Sequence, residues 1–328
     1  MFILKPRQKK LLAYFILFSG ATLLLLLLFD VVLDKPVSKR HLPKKFGATY
    51  MTMDNQFFEI LNTSIQDVII SNGDQLITRD PAQNQEKQNE QISDMLSLKV
   101  DLIFINPVDW NKITPALDAC RKAGVPYIFV DSDAPADTCA VSVVMSDNYK
   151  AGVQTAEDII SKRKKASIAL LYDRNIRSMY ERTQGLLDTL NAASFDYTIV
   201  YDCTYTSMMI QSMAAMQQYL DTSAHTNVDV VFGANDPTAL GALAALQKVH
   251  RSSGILVYGV DGSPSCKTMI HEGYMEGTAA QFPQIMGRTA AETAYAYLSG
   301  RRIDKKIIIP VKFITKENVE DFDILGWQ

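Results

Sequence analysis

The chain has 328 residues, 21% of them charged and 47% hydrophobic, with a formal net charge of −3. That length leaves room for two core-bearing units, and the nearly balanced charge offers no surface for nucleic acid. Cys120, Cys139, Cys203 and Cys266 stand far apart, with no C-x-x-C pair and no neighbouring histidine, which excludes the spacing of a zinc or thioredoxin-like site. They read as buried or half-buried free thiols, with a disulfide open if the domain is exported.

From Leu11 to Phe29 no charged residue appears. Those 19 residues span about 28 Å at helical rise, enough to cross a bilayer core. Lys5, Arg7, Lys9 and Lys10 precede the run, and Asp30-Val31-Val32-Leu33-Asp34 follows it with neither a small-x-small cleavage site nor a cysteine for lipid. We therefore expect a cytoplasmic stub over 1–10 and an uncleaved transmembrane signal anchor over 11–33, with a cleaved secretory signal as the rival. Lys35, Lys39, Arg40, Lys44 and Lys45 lie beyond it, so the basic residues favour neither orientation. With Pro36 and Pro43 among them, 34–46 reads as a juxtamembrane linker, either a solvated spacer or a contact with anionic head groups.

After the linker one pattern recurs: a short β-rich apolar run, a polar turn, an amphipathic helix. Strands are expected over 48–53, 75–78, 101–106 and 126–130, then over 167–172, 197–201, 228–233 and 255–260. Helical patterns cover 84–98, 110–123 and 237–249, the last with proline in its first turn. Continuous Val/Ile/Leu/Phe strands fit parallel sheets covered on both faces, and alternating βα units predict α/β architecture with two similar lobes.

Ligands of open α/β sheets sit beyond the carboxyl ends of the strands. Asn55 stands past the first run with Phe57 and Phe58 behind it; Asp131, Asn235, Asp261 and Gln281 each stand past a later one. Paired acceptors and donors on planar groups suit vicinal hydroxyls, and aromatic rings suit the apolar faces of a sugar. Asp and Asn are equally at home as helix N-caps, so position alone leaves both roles open. Arg182, near a helix start, reads as solvated, and Trp110 and Tyr205 read as partly buried packing residues.

These residues fall within segments that resemble the type I periplasmic sugar-binding proteins of the ribose- and xylose-binding kind, from Gly47 to Val319. The segments are Asp54-Asn55-Gln56-Phe57-Phe58, Asp101 to Pro107, Ala123-Gly124-Val125-Pro126, Val130-Asp131-Ser132, Ser146-Asp147-Asn148, Ala234-Asn235-Asp236-Pro237, Ala239-Leu240-Gly241-Ala242, Gly259-Val260-Asp261-Gly262, Thr278-Ala279-Ala280-Gln281 and Lys316-Glu317-Asn318-Val319. The resemblance implies two Rossmann-like lobes joined by a three-segment hinge: 47–146 with 281–308, and 147–280 with 309–320, followed by a C-terminal tail over 321–328. It implies ligand contacts from Asn55, Phe57, Phe58, Asp131, Arg182, Asn235, Asp261 and Gln281, and it is the resemblance alone that brings in Arg182. The chain departs from the pattern at Ser132, where an arginine is common, and at Gln56, where a proline is.

The expected function is extracytoplasmic, membrane-anchored binding of a monosaccharide, a pentose being the guess, for an ABC permease. A sensor histidine kinase is the alternative partner. No cofactor and no metal are expected. With no G-x-G-x-x-G, P-loop or H-E-x-x-H, and His41, His225, His250 and His271 scattered, an enzyme is not expected. Asp131 and Asp261 read better as ligand clamps than as a glycosidase pair. An apolar run where the lactose-repressor family carries its DNA headpiece excludes a repressor.

Overall fold

The computed structural model describes residues 5–33, 42–134, 139–222 and 227–328. The remaining residues include part of the expected stub, most of the expected linker, and His41 and His225, which lie outside the described residues. The chain divides into two units, Met1–Pro43 and Lys44–Gln328. The first holds helix α1 (Pro6–Leu33), within which the 20 residues Pro6–Leu25 are long and apolar enough to cross a membrane. A signal sequence at this position has the same length and composition.

The second unit alternates strand and helix. Its first half runs β1 (Lys45–Thr49), α2 (Gln56–Ser71), β2 (Gln75–Arg79), α3 (Gln85–Ser97), β3 (Leu102–Ile105), α4 (Thr114–Ala123), β4 (Tyr127–Val130) and β5 (Ser142–Ser146). Its second half runs α5 (Asn148–Lys162), β6 (Lys165–Leu171), α6 (Arg177–Ala192), β7 (Asp196–Cys203), α7 (Met209–Thr222), β8 (Val230–Gly233), α8 (Asp236–Lys248), β9 (Leu256–Asp261), α9 (Pro264–His271) and β10 (Gly277–Ala280). Then α10 (Pro283–Leu298), β11 (Lys306–Ile309) and β12 (Lys312–Thr315) follow.

Two six-stranded sheets result, ordered β11-β5-β4-β3-β1-β2 and β12-β10-β9-β8-β6-β7. Every pairing is parallel except β10 with β12. Parallel strands covered on both faces must be apolar throughout, and β3, β4 and β8 are buried along their whole length. In each sheet the strand order reverses direction beside the first strand, between β1 and β3 and between β6 and β8, which opens a crevice there. The chain passes between the sheets three times: after β5, after β10, and between β11 and β12.

The first strand occupies Lys45–Thr49 rather than 48–53, so Lys45 and Phe46, at the end of the expected linker, already belong to the sheet. Met51 turns out of the sheet because its N–H donates to the Asn106 side chain at 3.1 Å. The expected helix over 110–123 begins only at Thr114, where Pro115 sits in the first turn. Cys120, Cys203 and Cys266 are buried free thiols, whereas Cys139 is exposed. Among the described residues no cluster of His, Cys, Asp or Glu could hold a metal ion.

One close approach positions the cleft. Helices α5 and α6 cross at Gly152 and Gly185, where a Cβ would lie 1.9 Å from the Arg182 carbonyl oxygen and 2.1 Å from that of Tyr149. Only glycine lets the two backbones meet so closely. Gly185→Ala is expected to push the helices apart at a cost of about 1–3 kcal/mol, read as a lower midpoint in urea denaturation with an unchanged slope.

Candidate functional site

Helix caps and strand ends bring the polar groups together. Asn55 caps α2 by accepting the Phe57 N–H, and Asn235 caps α8 by accepting the Thr238 N–H at 2.9 Å. Asn235 Nδ2 also donates to the Ser207 carbonyl at 2.9 Å. The two readings of these asparagines are therefore compatible: one side-chain atom caps, and the residue still faces the cleft.

Asn55, Phe57, Phe58, Asp131, Arg182, Asn235, Asp261 and Gln281 all line a single cavity, joined by Met51, Ile176, Ser178 and Met179. The structure thus brings the eight residues expected to contact ligand to one crevice, with contributions from both sheets. The cavity encloses only about 20 Å³, room for about one water.

Arg182 is the centre of the arrangement and is buried, at 3% exposure, rather than solvated. Its Nε donates to Asn148 Oδ1 at 2.9 Å and its Nη1 to the Ala234 carbonyl at 2.8 Å. The same guanidinium lies 3.8 Å from Asp131 Oδ1 and 3.9 Å from Asp261 Oδ1. Those separations give charge attraction without a direct hydrogen bond.

Asp131 Oδ2 accepts from Asn106 Nδ2 at 3.1 Å, and Asp261 Oδ1 accepts from Gln281 Nε2 at 2.7 Å. Asp131 Oδ1 and Gln281 Oε1 are buried without a hydrogen-bond partner. Unpaired buried acceptors are costly and call for donors. Both aspartates also carry backbone angles that side chains rarely adopt, φ 64° at Asp131 and φ 142° at Asp261, a form of strain that concentrates at ligand clamps.

Burial pushes Asp131 up to about 6, against the Arg182 charge and the Asn106 hydrogen bond that pull it down. Burial, and then the charge of Asp236, hold Asp261 well above the ordinary carboxylate range, with Arg182 and Gln281 opposing. Asp236 is raised by burial too, although hydrogen bonds from Ser263 and Thr278 lower it.

Phe57 and Phe58 form the apolar wall, edge to face at 5.3 Å, with Phe58 stacked on Tyr50 at 5.8 Å. Phe57 also meets Trp327 at 6.0 Å. At the rim, Trp110 donates its backbone N–H to the Asn175 carbonyl at 3.1 Å and its Nε1 to the Arg174 carbonyl at 3.2 Å. Its ring stacks on Tyr180 and lies 4.7 Å beneath the Arg177 guanidinium. The Ser178 N–H donates to Ser132 Oγ at 3.2 Å, a further bond between the lobes.

Sequence reasoning missed the supporting roles of Asn106 and Asn148, although both stand just past strands. It missed Trp327 altogether. Tyr205, expected to be partly buried, is 66% exposed, because the buried residues of its loop are Thr206 and Ser207.

The raised Asp131 sets a sign for stability against pH. Between its ordinary value of 3.8 and about 6 the folded chain keeps a proton that the unfolded chain has released. This contribution is therefore present at low pH and lost as pH rises through that window. Asp131→Asn is expected to flatten that part of the dependence and to stabilise the ligand-free protein at pH 7, measured by urea midpoints across pH 4–7.

Comparison with known proteins agrees with the geometry. The periplasmic binding protein domain family matches residues 46–302. The ribose import binding protein of Bacillus subtilis (strain 168) is 30% identical over 282 residues, 83% of this chain and 87% of its own. That of Escherichia coli (strain K12) is 28% identical over 291 residues, 88% of this chain and 96% of its own. A solved ABC transporter solute binding protein from Bacillus halodurans C-125, with bound myo-inositol, superposes with a TM-score of 0.77 at 24% identity. That match covers 85% of this chain and 96% of the other, and it speaks for the fold.

Proposed function

We infer the function from kinship and site together: the chain belongs to the periplasmic binding protein domain family, whose members are solute-binding proteins and not enzymes. We propose that it is the substrate-binding component of a sugar ABC import system and takes a monosaccharide, a pentose or a similar polyol ring. The observation that carries this reading is Arg182, buried between two aspartates from opposite sheets, with unpaired acceptors beside it.

In this reading the Arg182 guanidinium donates to one ring hydroxyl, while Asp131 and Asp261 accept from its neighbours. Asn55, Asn235 and Gln281 add amide contacts, and Phe57 and Phe58 cover the apolar ring face. A space of about 20 Å³ admits no sugar. The lobes, divided as 47–146 with 281–308 and 147–280 with 309–320, therefore part at the three crossings and close again on the ligand.

Sugar hydroxyls donating to Asp131 favour its charged form. Binding should therefore release protons and tighten as pH rises from about 5 to 7.5, the range that spans the Asp131 value of about 6. Calorimetric titrations with D-ribose, D-galactose and myo-inositol test this. Affinity that is flat or falling across that range would count against hydroxyl donation to Asp131. Asp261→Asn keeps the side-chain shape but replaces an acceptor with a donor. It should weaken the sugar by about 1–3 kcal/mol, or about 5- to 150-fold in Kd.

We also read α1 as an uncleaved anchor that holds the binding domain at the outer face of the cell membrane. The lack of a small-x-small cleavage site after the apolar run, and of a cysteine for lipid near it, supports this. The same anchor favours a second reading, sensory input to a membrane histidine kinase that docks the closed form. Alkaline carbonate extraction should leave the full-length protein in the membrane pellet, whereas a cleaved signal would release it. Co-purification with a permease and ATPase, or with a kinase, decides between the partners.

A further inference from the structure

Residues 321–328 read from the sequence as a tail, yet they are tied into the ligand site from behind. Lys267, on α9, is fully buried. Its Nζ donates to the Asp323 carbonyl at 2.5 Å, the Gly326 carbonyl at 2.7 Å and Gln328 Oε1 at 2.9 Å. An ammonium has three protons, and this one places all three on a single segment.

So held, Gln328 turns its amide inward. Its Nε2, with two protons, lies within hydrogen-bond distance of three carbonyls: Gln281 at 2.9 Å, and Asp261 and Gly262 at 3.2 Å each. The fit leaves no slack, since a Cβ at Gly262 would lie 2.4 Å from Gln328 Nε2. Two of those carbonyls belong to the residues whose side chains meet in the cavity, joined to each other by a 2.7 Å hydrogen bond. One of them, Asp261, holds φ 142°, a conformation that persists only where its surroundings over-determine it. The neighbouring Trp327 reaches Phe57, the cavity wall contributed by the other lobe.

We propose that Lys267, Trp327 and Gln328 form a positioning strap for the ligand site, holding the backbone of Asp261 and Gln281 so that their side chains meet the ligand, and backing Phe57 across the cleft. In this proposal the strap acts through the residues that meet the ligand. This inference rests on the sugar-binding reading for its effect on affinity, though not for its effect on the backbone.

Two measurements on the full chain test it. The first is hydrogen exchange without ligand. The Gln281 N–H donates to the Asp261 carbonyl and the Gly262 N–H to Thr278 Oγ1. Gln328→Ala should raise exchange at these two amides at least about tenfold while leaving β1, β3 and β4 protected. The second is titration with D-ribose, D-galactose and myo-inositol. For whichever of these the wild type binds, Gln328→Ala and Lys267→Met should each weaken binding at least about tenfold. Trp327→Ala should speed dissociation, and Trp327→Phe, which keeps a ring against Phe57, should restore it. Unchanged exchange at Gly262 and Gln281 overturns the strap. So does raised exchange with undiminished affinity, because the segment would then be merely structural. If the wild type binds none of the three sugars, the sugar reading loses its support, and the exchange result alone decides the strap.

Discussion

A guanidinium held out of water between two carboxylates is the constraint around which this domain is built. Removing such charges from solvent costs several kcal/mol per ion even after relaxation. The fold offsets part of that by giving Arg182 the Asn148 side chain and the Ala234 carbonyl, and by giving the aspartates Asn106 and Gln281. The compensation is incomplete. Raised proton affinity at Asp131 and Asp261, together with unpaired oxygens, shows electrostatic need that the protein does not meet itself. A ring of hydroxyls, each able to donate, is the complement of that need.

The same constraint explains the architecture. Asp131 follows a strand of one sheet, Asp261 ends a strand of the other, and Arg182 rides on α6, which connects two strands of the second sheet. No single sheet could assemble the trio, so the site exists only when the lobes meet. Closure has bonds of its own at the rim, from Trp110 to the Arg174–Asn175 carbonyls and from Ser178 to Ser132. If the lobes open and close as proposed, these rim bonds favour the closed side before any ligand arrives, and the ligand has only to bias that equilibrium.

How much of this was legible in the sequence depended on where a residue sits relative to its strand. Asp131, Asn235, Asp261 and Gln281 stand at or within two residues of a strand end, and Asn55 at the start of the helix after β1, positions that the carboxyl-end rule finds without knowledge of the tertiary fold. Arg182 does not. Its burial depends on α5 and α6 meeting at Gly152 and Gly185, a contact between helices that no local pattern announces, and only family resemblance pointed to it. Length did not hide β5, β11 and β12, since β3, β4 and β8 are as short: β11 and β12 are edge strands that each begin with a lysine, and β5 comes next after β4, outside the βα alternation. Lys267 gave no signal either. A lone lysine on a helix usually reaches solvent, and the acceptors that bury this one come from residues more than fifty positions away. Tyr205 shows the opposite error, since a strand-end aromatic looks like a wall until its loop turns the ring outward.

The sequence contains two tryptophans, and each touches the opposite lobe, Trp110 through the Arg174–Asn175 backbone and Trp327 through Phe57. Every indole in the chain thus sits on a contact that opening would break and hydrate. If the lobes part as proposed, the molecule carries its own optical gauge: indole emission would follow the opening with no dye attached.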